Sequence, residues 1–220
     1  MFLQIPDLLT AAEVDALRAI AASAAFIDGR ASNPHSKVKN NEIVGDADAH
    51  ARASRIMLGA LGRSEPFKDF AMPRTVAAPM LTRYGADRHY GLHADAAFMP
   101  MKERPLRADL SCTIFLSDPA AYEGGALRVL LGDRAVEFRL SAGAAVVYPS
   151  TTLHEVVPVA SGERLVGLTF IESKIADAWR REVLYELNEV VALEGLGMRP
   201  ESFTRAQRVQ QALARMWMEH

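Results

Sequence analysis

The stretch Arg164-Leu165-Val166-Gly167-Leu168-Thr169-Phe170-Ile171 decides how the chain folds. Its residues alternate with a period of two, as side chains do on an extended backbone. Arg164, Val166, Leu168 and Phe170 share one face, and Leu165, Gly167, Thr169 and Ile171 share the other. Working back from it, β-type runs broken by Gly, Pro and Asp recur near 74–84, 91–96, 108–117, 125–131, 134–140, 144–148 and 154–159. So many short strands without intervening helices predict an antiparallel barrel or jelly roll, not a parallel sheet. Ala160-Ser161-Gly162-Glu163 reads as a turn, which would pair the 164–171 strand with the one beginning at His154.

Helical patterns flank this β region. Thr10-Ala11-Ala12-Glu13 is a capping box, and Val14, Leu17, Ile20 and Ala21 then recur at helical spacing over 11–24. A second helix is expected over 46–62, with Ala49, Ala53, Ile56, Met57, Ala60 and Leu61 on one face. The polar run 31–41 between them reads as a solvated loop. After Ser173, residues Ile175 to Leu187 mark one helix and Phe203 to Met218 another. The expectation is one domain over 1–220 that is mainly β with flanking helices (α+β). It divides into a mainly helical part at 1–72, a β core at 73–172 and C-terminal helices at 173–220. Leu184, Leu187, Leu213 and Trp217 offer a homo-oligomer face, or else pack these helices on the barrel.

Of the 220 residues half are apolar, enough for a sizeable core, and the formal charge of -2 gives no case for nucleic acid or an anionic membrane. No uninterrupted apolar run reaches about 18 residues, so no membrane span is expected. Met1 to Pro6 lacks the pattern of a signal peptide, and a cytoplasmic location is the expectation. The lone Cys112 excludes a disulfide framework and a cysteine-rich zinc site; within its apolar run it reads as core.

The chemistry concentrates at His93-Ala94-Asp95. Two residues apart on a strand, a histidine and a carboxylate point the same way. His154, at the mouth of a later strand after the turn at 149–153, would add a second imidazole. Two histidines and a carboxylate form the facial triad that suits non-haem Fe(II) and leaves positions open. Arg164, facing inward among apolar residues, is costly unless it meets an anion, and its planar fork suits a carboxylate. That anion is either a ligand or an internal partner such as Glu137, Glu155 or Glu163, unless the side chain reaches water at the rim.

Taken together, His93-x-Asp95, His154 and Arg164 resemble the Fe(II)/2-oxoglutarate dioxygenases of the prolyl-4-hydroxylase type, and more narrowly the PKHD-type hydroxylases. Further similar stretches are Asp28-Gly29-Arg30, Lys39-Asn40-Asn41, Arg83-Tyr84-Gly85, Asp109-Leu110-Ser111, Thr113-Ile114-Phe115-Leu116-Ser117, Tyr122-Glu123-Gly124-Gly125 and Tyr148-Pro149-Ser150. The resemblance implies a double-stranded β-helix, with iron held by His93, Asp95 and His154. It implies that 2-oxoglutarate chelates this iron while Arg164 takes its far carboxylate and Tyr84 hydrogen-bonds it. Tyr84 equally reads as a buried aromatic satisfied by backbone. The implied reaction uses O2, yields succinate and CO2, hydroxylates a small-molecule or peptidyl substrate, and takes ascorbate as reductant.

One departure stands out: Phe170-Ile171-Glu172-Ser173 replaces the Trp-Ile-Gln-Ser expected of the family, a change that either reshapes the substrate side or sits at a strand end. Two rivals remain. A cupin-like metal-binding or sensor barrel would keep the triad but have no use for Arg164. A zinc hydrolase would need a general base, for which Glu155 is the nearby candidate. Gly124-Gly125 reads as a tight bend allowing close backbone approach. His89 and Tyr90 either line the mouth or sit on a surface loop, and Met99 to Arg107 is a mobile lid or a solvated crossover. His35, His50 and His220 have no companions.

Overall fold

A computed structural model of the chain describes residues 1–219; His220 lies outside the described residues. The strand Arg164–Ser173 runs through the middle of a large antiparallel sheet. Its spatial order is Leu3–Ile5, Ala145–Pro149, Leu110–Phe115, Arg164–Ser173, Met80–Tyr84, Glu42–Val44 and Phe26–Asp28, with Pro73–Val76 paired to the far end of the central strand. A smaller antiparallel sheet orders Arg134–Phe138, Leu127–Leu131, His154–Val156, His89–His93 and Lys39–Asn40.

The period-two reading places the two faces correctly. Val166 packs with Phe115, Val146 and Tyr148 of the large sheet against Leu127, Val129, Phe138 and Val156 of the small one, so the two sheets close face to face as a jelly roll. Leu165 and Ile171, on the opposite face, join Leu110, Cys112, Ile114 and Val147 under the N-terminal helices. These are α1 (Ala11–Ser23), α2 (Ala47–Arg63) and α3 (Glu65–Ala71). A Cβ on Gly167 would come within 2.2 Å of Met57 Sδ, so only glycine lets α2 settle this closely on the sheet. Burial pushes the Cys112 thiol up to about 12, in keeping with a core residue. The capping box holds: Thr10 N–H donates to Glu13 Oε2 at 2.8 Å, and the Thr10 hydroxyl accepts from Glu13 N–H.

Several expectations need correction. Arg164–Ser173 does not pair with the His154 strand; the two lie in different sheets, because the jelly roll sends successive strands to opposite layers. Residues 160–162 are not a turn but part of the strand Val159–Gly162, paired with Tyr122–Gly124. The part before residue 72 also supplies three strands to the large sheet, Leu3–Ile5 and Phe26–Asp28 at its two edges, and one to the small sheet, so the polar run 31–41 is not wholly solvated. Segment 99–107 is neither a free lid nor a bare crossover: Phe98–Met99 pairs with Leu106–Arg107, and Arg104 donates to the buried Glu172 at 2.9 Å.

The C-terminal helices are α4 (Ala178–Glu194) and α5 (Pro200–Trp217). Leu184, with Leu213 and Trp217 packed against it, clusters on Met72 and Ile175, which anchors the pair to the body. Trp179, Leu193 and Leu196 stay exposed. No helix among the described residues is long and apolar enough to cross a membrane.

Candidate active site

The small sheet brings the two histidines together by register, with His93 paired directly across from His154. His93 closes its strand and Asp95 lies just past the end, so the carboxylate is aimed by the loop and not by strand alternation. The Asp95 N–H donates to the Ser150 carbonyl, which fixes that loop beside the turn before His154. The resulting geometry is tight. Asp95 Oδ1 is 3.7 Å from His93 Nε2, Oδ2 is 3.7 Å from His154 Nε2, and one ligand atom from each residue lies within 4.8 Å of the others.

Each imidazole is oriented from behind. His93 Nδ1 donates to the Gly91 carbonyl at 2.8 Å and His154 Nδ1 to the Thr152 carbonyl at 2.9 Å, which leaves both Nε2 lone pairs facing the gap. Tyr90 stacks on the His93 ring at 3.7 Å between centroids, so it is part of the site wall. Burial, and then the neighbouring His154, pull the His93 pKa below the usual imidazole value and favour the neutral ring a metal needs. The carboxylate is held too: Ser111 Oγ donates to Asp95 Oδ2, and the Ser111 and Ser150 hydroxyls are 2.8 Å apart. Two histidines and an acid held in this way form a competent metal-binding donor set.

Across the pocket, Arg164 and Tyr84 are register partners on neighbouring strands of the large sheet. Arg164 is 1% exposed, yet its Nε and Nη1 have no hydrogen-bond partner. The internal partners considered for it are otherwise placed: Glu137 and Glu155 both bind Arg128, and Glu163 is exposed. That also removes Glu155 as a base beside the histidines. The guanidinium rests over the Tyr84 and Phe115 rings at 5.0 and 5.6 Å. Gly124 and Gly125 do form the tight bend, both at positive φ, and a Cβ on Gly125 would lie 3.2 Å from Arg164 Cδ. The pocket wall therefore closes directly over the arginine stem.

Sequence reasoning missed three polar side chains here. Thr82 lines the pocket with its buried hydroxyl unpartnered. Ser111 supports Asp95. Asn41, 2% exposed, donates through Nδ2 to the Tyr84 hydroxyl at 2.9 Å. Period-two alternation would have found Thr82, which shares a strand face with Tyr84, whereas the strand of Ser111, Leu110–Phe115, carries none of the identified site residues. Asn41 gave no such signal, sitting in a polar run. His35, His50 and His89 are absent from the metal-competent cluster.

Comparison with known proteins gives the family and the fold. The family model of the 2OG-Fe(II) oxygenase superfamily matches residues 79–172. A PKHD-type hydroxylase of Sphingopyxis alaskensis is 55% identical over 204 residues, 93% of this chain and 94% of that one. Another from Thioalkalivibrio sulfidiphilus is 40% identical over the full length of both chains. In fold, the crystal structure of a Pseudomonas putida prolyl-4-hydroxylase is similar at a TM-score of 0.55 and 21% identity, covering 78% of this chain and 92% of that one.

Proposed function

Because the chain belongs to the PKHD-type hydroxylases, which are Fe(II)- and 2-oxoglutarate-dependent oxygenases, we propose that His93, Asp95 and His154 hold the iron and that Arg164 takes the far carboxylate of 2-oxoglutarate. The observation that carries this reading is the unpaired guanidinium. A buried cation with idle donors at Nε and Nη1 is costly in the free protein, and a carboxylate bound in the pocket would offset that cost. The Tyr84 and Thr82 hydroxyls would complete the carboxylate's hydrogen bonds. When bound, iron and cosubstrate supply the oxidising chemistry: one O2 is consumed, 2-oxoglutarate becomes succinate and CO2, and a substrate C–H becomes C–OH.

The chain's own residues do the positioning. The backbone carbonyls of Gly91 and Thr152 fix both imidazole tautomers, and Ser111 fixes the carboxylate. Burial keeps the Tyr84 hydroxyl protonated, so it remains a hydrogen-bond donor. Leu127, Val156, Val166 and Leu168 line the pocket between arginine and triad and keep water from it. A cupin-like metal barrel without oxygenase activity leaves Arg164 unexplained.

The test is anaerobic titration of the Fe(II)-loaded protein with 2-oxoglutarate, followed by admission of O2. The expected results are a visible charge-transfer band and then succinate. A metal-loaded protein whose spectrum ignores 2-oxoglutarate sinks the proposal.

A further inference from the structure

We propose that Asn41 is a positioning residue for the cosubstrate: it sets the direction in which the Tyr84 hydroxyl donates. The inference rests on the proposed role of Arg164 and Tyr84 and adds a residue to it. Tyr84 is 3% exposed, and its oxygen already accepts from Asn41 Nδ2 at 2.9 Å. With a lone pair so occupied, the phenolic proton is free to point elsewhere. The pocket it faces also contains the idle Nε and Nη1 of Arg164 and the idle Thr82 hydroxyl. The Arg164 guanidinium and the Thr82 hydroxyl can both donate to one carboxylate, so an anion there would meet a cluster of donors. Without Asn41, the tyrosine proton has no fixed direction.

The asparagine backbone is held by its neighbours, while its side-chain Oδ1 is buried without a hydrogen-bond partner. Gly29 N–H donates to the Asn41 carbonyl at 2.8 Å, which ties the asparagine backbone to the short 3-10 turn Gly29–Ser32. A Cβ on Gly29 would fall 1.8 Å from Asn41 Oδ1, so only a glycine leaves room for the amide in this orientation. Asn41 also follows directly on the edge strand Lys39–Asn40 of the small sheet and precedes Glu42–Val44 of the large one. It thus sits where the chain crosses between layers, and that crossing delivers its side chain to the Tyr84 hydroxyl.

A double-mutant cycle tests this by calorimetry on Ni(II)-loaded protein under conditions where no turnover occurs. The probes are 2-oxoglutarate and oxalate, which chelates the metal but has no distal carboxylate. Asn41→Leu, which keeps the branched shape, should weaken 2-oxoglutarate about three- to tenfold, as loss of one oriented hydrogen bond would. Oxalate binding should not change, and the Asn41 effect should vanish in a Tyr84→Phe background. Asn41→Ala and Asn41→Ser are run alongside, so that a folding failure in one variant leaves the cycle intact. The proposal is overturned if 2-oxoglutarate affinity is unaltered, if oxalate weakens equally, or if the loss persists in Tyr84→Phe. A parent protein that binds oxalate but not 2-oxoglutarate overturns the role of Arg164 as well, whereas one that binds both while Asn41 proves silent overturns only this inference.

Discussion

The two sheets contribute unlike halves of one pocket. The small sheet presents His93 and His154 at strand ends, near its rim, and its outer face carries the half-buried Arg128 with its ion pairs to Glu137 and Glu155. The large sheet presents Arg164 and Tyr84 from strands covered on their other side by α1, α2 and α3. One half is therefore a set of ligands steered by loops and carbonyls, and the other is a donor cluster fixed inside a packed layer. The difference teaches where each half is vulnerable: the ligands to the loss of a single atom, the donor cluster to the loss of a ligand that would satisfy it.

The largest effect should come from breaking the small-sheet half. His93→Ala, Asp95→Ala and His154→Ala should each abolish stoichiometric Fe(II) binding, a loss well beyond the ten- to hundredfold typical of an outer partner. Metal content after gel filtration is the measurement, and a variant that keeps one tight iron would remove its residue from the proposed set. Next comes Arg164→Met on the large sheet, for which two opposite changes are expected. Affinity for 2-oxoglutarate should fall on the order of a hundredfold or more, while thermal stability of the ligand-free protein should hold or rise, by up to about 1–4 kcal/mol. A destabilised Arg164→Met would mean that the guanidinium is satisfied within the fold, and would weaken the case for a ligand carboxylate.

A smaller effect sharpens the contrast within the small-sheet half. Ser111→Ala removes the donor to Asp95 Oδ2 and leaves both histidines untouched. Metal affinity should drop roughly ten- to hundredfold, with 2-oxoglutarate affinity of the metal-saturated protein close to unchanged. Competition with a chelator of known affinity reads the first, and calorimetry the second.

Most of this division could be read before any coordinates. The alternation at 164–171 separated the faces correctly because one face meets helices and the other meets a second sheet, and both are apolar apart from Arg164 and Thr169. His93-x-Asp95 was legible as a pair although its reason was partly wrong, since Asp95 is aimed by its hydrogen bond to Ser150. The pairing of the arginine strand was not legible. Local logic favours hairpins, while a jelly roll pairs strands distant in sequence. The strands Leu3–Ile5, Phe26–Asp28 and Glu42–Val44 are too short for a period to show. Asn41 and Ser111 stayed hidden for a further reason. A polar residue that serves a buried site looks, in one sequence, like a polar residue in water.

The smallest expected effect concerns the rim, where Glu172 replaces the glutamine expected of the family. Its carboxylate is buried and ties down the 98–107 hairpin through Arg104, with Arg74 at 3.4 Å behind it. Burial raises the Glu172 pKa, but the hydrogen bonds and charge of Arg104, aided by Arg107, outweigh it and leave the value below the ordinary 4.5. A folded-state pKa below the unfolded one contributes stability that is present above the unfolded value and is lost as pH falls through the folded one. Hydrogen exchange of residues 98–107, corrected for the intrinsic pH dependence of the amides, should thus speed up as pH falls below about 4.5. In Glu172→Gln the exchange should already be faster at neutral pH and should lose this acid dependence, while metal and 2-oxoglutarate affinities stay at their parent values. Identical exchange in both proteins across that range would show that the hairpin is held by its own ladder and that the carboxylate contributes nothing to it.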